Sequence, residues 1–391
     1  MTGFWEQYWY VVLFYVGVIA LLFIFRKKFE FQGGIVALLK TGWGVKWMNR
    51  FGAKYARIII PIAHFGIYVG YAGMLLIIGF IVYGLWQLIA EPAGPPVLTP
   101  FLPGVHIPGS PIAFPLFESL IALFIVIVVH EGAHGIVSAA HKIKVKSSGL
   151  LALGPIFGAF VEPDEKRVLK APGKVQNAIY AAGPWSNVIQ AALFLGLFVA
   201  FSAFLVVALG AGGITTQAIA DGSPAQAAQL PTGTPFVESQ FGEIETVRDL
   251  TNHLQQVSIG DEFILITDAG QEYRITLAEH PDQEGRAWVG MENIRTHYTA
   301  PSAQWLAPIA MFILEVIYWT FLLSLGLGLA NLIPLGPVDG GRMYLVVLQR
   351  FMEPKRAEYV WKKTALLFLI AVVLLIFVPI IQNLAGRWFT F

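Results

Sequence analysis

The chain has 391 residues, of which 56% are hydrophobic and only 13% are charged. This composition excludes an ordinary soluble domain and predicts a polytopic α-helical membrane protein, with the lipid bilayer as its surroundings and no nucleic acid as a partner. Because the sequence contains no cysteine, disulfides, cysteine-ligated zinc sites and thiol nucleophiles are excluded as well.

Six apolar stretches are long enough to cross a bilayer core about 30 Å thick. They run roughly over residues 8–25, 58–90, 112–140, 176–209, 303–335 and 364–386. WEQYWY precedes the first stretch and RWFTF follows the last. Aromatic clusters of this kind are typical of anchors at the membrane interface. We therefore expect about six transmembrane helices.

The charges are segregated along the chain. Residues 211–300 carry 13 acidic residues and four arginines, whereas the rest of the chain holds 22 of the 26 basic residues and only 12 of the 25 acidic residues. Most of these basic residues lie in the connections 26–57, 142–174 and 342–363. The positive-inside rule makes these connections cytoplasmic. Alternating the six spans then places residues 211–300 and both termini outside the cytoplasm of a multi-pass cell-membrane protein.

Residues 147–163, SSGLLALGPIFGAFVEP, are apolar but too short and too rich in glycine for a span. They predict a membrane-associated β-hairpin, whose unpaired edge can accept a substrate strand. An interfacial loop packed against the spans is an equally good interpretation.

Residues 211–300 predict a soluble α+β module. ITTQAIA alternates like a strand, Ser223 is placed to cap a short helix, and TVRDLTNHLQQV is an amphipathic helix. FILIT and EYRITLAEH then predict a hairpin around the turn at residues 268–270.

The third apolar stretch carries the motif His-Glu-Gly-Ala-His at residues 130–134. On a helix, His130 and His134 lie one turn apart on a single face, and Glu131 lies beside that face. Such groups are costly inside a membrane and indicate a functional site. Two imidazoles and an adjacent carboxylate are the ligands and the base that a catalytic zinc site requires.

A tetrahedral catalytic zinc site needs a third protein ligand. A metzincin completion fails, since Val137 and Ala140 stand where glycine and histidine are required. Glu162 and Asp164 are alternatives, but both lie in the charged segment EPDEKR, which predicts a solvated position. Asp339 in NLIPLGPVDGGR is the better candidate, because Pro334 and Pro337 break the helix and the following glycines permit a turn. A plain N-cap role for Asp339 is the alternative.

These motifs resemble those of the site-2 type intramembrane zinc metalloproteases. The resemblance rests on HEGAH, on NLIPLGPVDGG, and on the intervening Ala182-Gly183-Pro184-Trp185-Ser186-Asn187. It implies that His130, His134 and Asp339 bind Zn²⁺ and that Glu131 is the general base. It further implies that Asn187 and Asn331 hydrogen-bond the substrate backbone or the oxyanion. The hairpin resembles the family's membrane-associated hairpin, and residues 211–300 resemble its inserted PDZ domain.

The resulting organisation has four parts. Residues 1–110 hold two transmembrane helices, and residues 111–210 form the first part of the catalytic membrane core. Residues 211–300 form the PDZ-like domain. Residues 301–391 form the second part of the core and the last span. The expected function is hydrolysis of transmembrane protein substrates in regulated intramembrane proteolysis. A zinc-binding transporter and a non-catalytic scaffold acting through the PDZ-like module are the alternatives. Intact Glu131 disfavours the scaffold.

Overall fold

The computed structural model describes residues 4–32, 36–90, 97–105, 107, 110, 112–153, 156–281, 283–300, 303–336 and 338–389. The chain divides into two compact units. The first comprises Met1–Gly196 and Glu315–Phe391, and the second comprises Leu197–Leu314.

The helices of the described residues are α1 (Phe4–Ile24), α2 (Val45–Lys54), α3 (Ala56–Ala90), α4 (Leu116–Ala140), α5 (Glu165–Lys170), α6 (Gly173–Tyr180), α7 (Ala182–Leu209), α8 (Pro224–Ala227), α9 (Val247–Leu254), α10 (Ala303–Ala330), α11 (Asp339–Phe351) and α12 (Pro354–Phe389).

The strands are β1 (Glu30–Gln32), β2 (Val36–Lys40), β3 (Val145–Leu153), β4 (Ile156–Pro163), β5 (Ala211–Thr215), β6 (Ala218–Ile219), β7 (Phe236–Ser239), β8 (Gly242–Glu243), β9 (Glu262–Thr267), β10 (Glu272–Thr276), β11 (Ala278–His280), β12 (Gln283–Trp288), β13 (Met291–Glu292) and β14 (Arg295–Tyr298).

Five of the six predicted spans are helices long and apolar enough to cross a membrane, namely α3, α4, α7, α10 and α12. The remaining stretch forms α1, whose apolar part, Tyr8–Ile24, is shorter than these five. Many large apolar side chains on these helices are exposed, for example Leu75 and Leu367. Exposed apolar surface of this extent is costly in water but is the expected lipid-facing surface of a membrane protein.

Helix α4 turns one face inward along its whole length. Val126, His130, His134 and Val137 are buried, and their spacing of three or four residues follows the helical period. α4 ends at Ala140, and Lys142 adopts a left-handed backbone conformation with φ of 61°. The chain thereby turns directly into β3, which brings the hairpin next to the histidine-bearing end of α4.

The predicted hairpin is formed by β3 and β4, with Leu150 opposite Ala159. Its tip, residues 154–155, lies outside the described residues. The sequence did not indicate that the hairpin belongs to a larger antiparallel sheet of order β1-β2-β3-β4. β1 and β2 come from the segment after α1, so two distant parts of the chain build this sheet.

Helix α2 packs tightly against α4 in the first unit. A Cβ on Gly52 would lie 2.4 Å from the carbonyl oxygen of Ile136, and a Cβ on Gly135 would lie 2.5 Å from the Met48 sulfur. Glycine at both positions therefore permits the close approach of the two helices. A Cβ on Gly135 would also lie 3.1 Å from the Val161 side chain of β4, so the end of α4 is held between α2 and the sheet.

The second unit contains a sheet of order β10-β9-β7-β5-β14, with β8 paired to β7. The predicted hairpin of β9 and β10 pairs Ile266 with Glu272. The Ser223 side chain caps α8 as predicted, accepting a hydrogen bond from the Gln226 N–H. Phe236, Phe263 and Leu265 lie in the core of this unit and are fully buried.

Candidate metal centre

Two imidazoles and one carboxylate, those of His130, His134 and Asp339, lie close together in the first unit. The Nε2 atoms of His130 and His134 lie 3.3 Å apart, as expected for side chains one turn apart on α4. The Oδ2 atom of Asp339 lies 3.2 Å from the Nε2 of His130 and 3.3 Å from that of His134. Among the described residues, this is the one group of three or more His, Asp or Glu side chains arranged to hold a metal ion.

Asp339 reaches this centre from the first position of α11. The N-cap of the helix is Val338, so the alternative in which Asp339 acts as the cap does not hold. The Gly340 N–H donates to the Asn331 carbonyl at 2.7 Å, which ties the start of α11 to the end of the α10 segment. α10 itself ends at Ala330, before Pro334, while Pro337 lies outside the described residues.

The donor set fits a zinc ion in spacing as well as in chemistry. Zinc binds imidazole nitrogen and carboxylate oxygen at about 2.0–2.2 Å, and a tetrahedron of this size has edges of about 3.3 Å. The three observed separations between the ligand atoms are 3.2, 3.3 and 3.3 Å. His130, His134 and Asp339 therefore provide three corners of such a site.

The surrounding backbone leaves space for this centre. Gly183, near the start of α7, approaches so closely that a Cβ there would lie 2.4 Å from the Nε2 atoms of both His130 and His134. The missing side chain at Gly183 is therefore a structural requirement of the histidine pair.

A backbone carbonyl fixes the orientation of His134. The Nδ1–H of the ring donates to the Ile179 carbonyl oxygen at 2.7 Å, at the end of α6. This hydrogen bond selects the tautomer whose Nε2 lone pair is directed at the centre. The sequence could not indicate this acceptor, since a backbone carbonyl has no residue signature.

Glu131 lies beside the ligands and contacts the hairpin. Its Oε2 accepts a hydrogen bond of 3.1 Å from the Val161 N–H of β4. β4 is the last strand of its sheet among the described residues, so this N–H is directed away from β3. The carboxylate next to the centre is thus held by the edge of the sheet.

The alternative third ligands are engaged elsewhere. Glu162 accepts a hydrogen bond of 2.5 Å from the Ser147 hydroxyl within the hairpin. Asp164 pairs with Lys146 at 3.2 Å and Arg167 at 3.8 Å. The hydrogen bond and charge of Lys146 hold the pKa of the Asp164 carboxyl below its usual value. Both carboxylates therefore belong to the surface of the hairpin.

The two asparagines occupy different positions. Asn187, one turn after Gly183 on α7, is completely buried, and neither its amide oxygen nor its nitrogen has a hydrogen-bond partner among the described residues. Asn331 contributes its backbone carbonyl to the start of α11. Gln190, which the sequence did not single out, is also buried, and its amide has no partner in the described part of the chain; it lies three residues from Asn187 on the same face of α7. That spacing was a signal that could have found it.

Comparisons with known proteins agree with this geometry. A model of peptidase family M50 matches residues 118–372, well over half of the chain. An uncharacterised protein of Methanocaldococcus jannaschii is 31% identical over 333 residues, which cover 83% of this chain and 80% of that protein. The apolar helices and the family match define a multi-pass membrane protein of the metallopeptidase class. The chain belongs to peptidase family M50, the site-2 protease family, whose members are zinc-dependent. The predicted family is thereby confirmed.

Proposed function

We propose that the protein is a zinc-dependent intramembrane endopeptidase that hydrolyses peptide bonds in transmembrane protein substrates, as in regulated intramembrane proteolysis. The observation that carries the proposal is the convergence of Asp339 with His130 and His134, which lie on a helix apolar enough to span a membrane. These three side chains would hold the zinc ion. Family membership and the adjacent Glu131 favour this function over the transporter and scaffold alternatives.

The proposed chemistry divides between the ion and the chain. When bound, zinc supplies Lewis-acid activation of water and of the scissile carbonyl. Glu131 acts as the general base: its carboxylate takes a proton from the attacking water and delivers it to the nitrogen of the leaving amine. The water oxygen becomes bonded to the carbonyl carbon, the C–N bond breaks, and the carboxylate returns to its starting state.

We assign Asn187 to a hydrogen bond with the substrate backbone or the developing oxyanion. A buried amide without a partner costs about 1–3 kcal/mol, which a bound carbonyl or water can offset. Gln190 extends the same polar face of α7 by one turn. We also propose a contact between Asn331 and the substrate, in addition to its backbone bond to Gly340.

The edge of β4 is the proposed site for the unwound substrate. A transmembrane helix hides its carbonyls in its own hydrogen bonds, so cleavage requires a locally extended segment. Since backbone groups alternate along a strand, the N–H of Ala159 is directed at the same edge as that of Val161. A substrate strand added to this edge would be held extended beside Glu131.

Ala159→Pro is expected to slow cleavage of a helical single-span substrate by about 2- to 10-fold, because it removes one hydrogen-bond donor from the strand edge. A glycine-rich substrate, which is already unwound, should be slowed less. Ala159→Gly keeps the N–H, adds no volume to the space beside the strand edge, and serves as the control. The test compares the cleavage rates of both substrates by each variant. Equal slowing of the two substrates by Ala159→Pro would refute edge pairing.

The topology is also a proposal. The three basic connections support a cytoplasmic location for the metal centre in the cell membrane, and the 13 acidic residues of 211–300 support an extracytoplasmic location for that segment. We further propose that 211–300 is a PDZ-like module, supported by its five-strand path and by helices α8 and α9.

Metal removal tests the function as a whole. Purified protein treated with a chelator is expected to lose cleavage of a detergent-solubilised single-span peptide, and added Zn²⁺ is expected to restore it. Mg²⁺ should not, because it prefers octahedral oxygen ligands over imidazole. Product masses would report the cleaved bond. Cleavage that survives complete removal of zinc would refute a zinc peptidase.

A further inference from the structure

A cavity of about 930 Å³ lies in the first unit between α2, α4 and the hairpin. Its volume falls within the range of about 300–1,000 Å³ that is typical of ligand-binding pockets. Most of its wall is apolar. The large side chains that line it are Trp43, Trp47, Phe124, Val128, Leu150 and Phe160.

The same cavity extends to the proposed catalytic base. Phe124, Val128 and Glu131 follow one another at helical spacing on α4 and line it together. Ala159 and Val161, whose N–H groups are directed at the edge of β4, also line it. The cavity thus joins an apolar wall to a reactive carboxylate and a strand edge.

We propose that this cavity is the specificity pocket of the protein, and that it receives large apolar side chains of the substrate next to the scissile bond. The inference rests on the proposed function and names a substrate class, namely extended transmembrane segments with bulky aliphatic or aromatic residues at the cleaved position. A substrate strand on the β4 edge places its backbone beside Glu131 and alternate side chains against the apolar wall. A lipid acyl chain would match the apolar wall, but it has no backbone groups that could pair with the strand edge and no peptide bond to place beside the carboxylate.

Gly132 determines how much room the pocket has. It follows Glu131 in the motif and lines the cavity, and a Cβ added there would meet no atom of the described residues within 4 Å. A leucine at Gly132 would therefore take up part of the space in the pocket. Gly79 in α3 offers a matched control, because it is also a glycine in a helix long and apolar enough to span a membrane, and its Cβ would meet none of the described atoms within 4 Å.

The first experiment compares Gly132→Leu and Gly79→Leu in the zinc-loaded full-length protein. The probes are synthetic single-span peptides with one central glycine-containing segment, in which a single residue is Ala, Leu, Phe or Asp. The unmodified protein and the Gly79→Leu protein are expected to cleave the Leu and Phe peptides at least about tenfold faster than the Asp peptide. In the Gly132→Leu protein, cleavage of the Leu and Phe peptides is expected to fall by at least about tenfold, and cleavage of the Ala peptide by less. An equal effect on all peptides, or no effect, would overturn the pocket assignment.

The second experiment does not depend on cleavage. The photoreactive residue p-benzoylphenylalanine is placed at Trp47 in the Glu131→Gln protein, and at the exposed Tyr68 of α3 as the control position. The pocket assignment is supported if position 47 forms more crosslinks with the Leu and Phe peptides than with the Asp peptide. Such crosslinks would support it even if the unmodified protein proved unable to cleave any peptide, in which case the proposed function alone would fail. Crosslinks from position 47 to phospholipid only would overturn the inference.

Discussion

Glu131→Gln is expected to leave zinc bound and to lower the rate of substrate cleavage by about 10²- to 10⁴-fold, the usual contribution of a general base. Glutamine has nearly the same shape as glutamate, and its amide oxygen can accept the same hydrogen bond from the Val161 N–H. The local structure should therefore persist. The substituted side chain cannot take a proton from water, so proton transfer is the step that is lost.

The measurement combines metal content with single-turnover cleavage of a single-span peptide. Glu118→Gln is a suitable control, because Glu118 lies in the first turn of α4, 13 residues before Glu131 and about 20 Å away along the helix. This control should bind zinc and cleave at the unmodified rate. Cleavage by the Glu131→Gln protein at the rate of the unmodified protein would refute the assignment of the base.

Gly183→Ala is expected to weaken zinc binding by at least about 100-fold, the upper end of the cost of losing an outer-shell partner. The added Cβ would lie 2.4 Å from the Nε2 atoms of both His130 and His134, so both rings must move away. The helix itself should still form, since Gly183 does not have a positive φ and alanine is compatible with a helical backbone. The loss would therefore report the displaced ligands.

Gly196→Ala provides the matched control on the same helix. Within the part of the chain that the structure describes, a Cβ at Gly196 would meet no atom within 4 Å, so zinc affinity and cleavage should stay unchanged. Affinity is measured by competition with a chelator of known zinc affinity, and thermal unfolding verifies the fold of both variants. Unaltered zinc affinity in the Gly183→Ala protein would mean that the metal does not bind between these histidines.

Much of the fold was predictable because its signals are local. The apolar runs predicted six spans, and five of them are helices long enough to cross a membrane, since the bilayer demands about 20 apolar residues in succession. Alternation predicted the β9–β10 hairpin, and Ser223 predicted the start of α8. The β1–β2 pair was not predicted, because its strands are short and their partner, β3, lies more than 100 residues away.

The sequence by itself determined the pair of histidines and the glutamate beside them, because the 3.6-residue period of a helix fixes which of positions 130, 131 and 134 share a face. It favoured Asp339 over Glu162 and Asp164 as the third carboxylate, but it could not show which of them reaches the histidines. Only the tertiary structure decided among them, by placing the start of α11 at 3.2 Å from His130 and engaging the other two in the hairpin. Spacing along a helix is a local property, whereas the meeting of residues 209 positions apart depends on how whole helices pack.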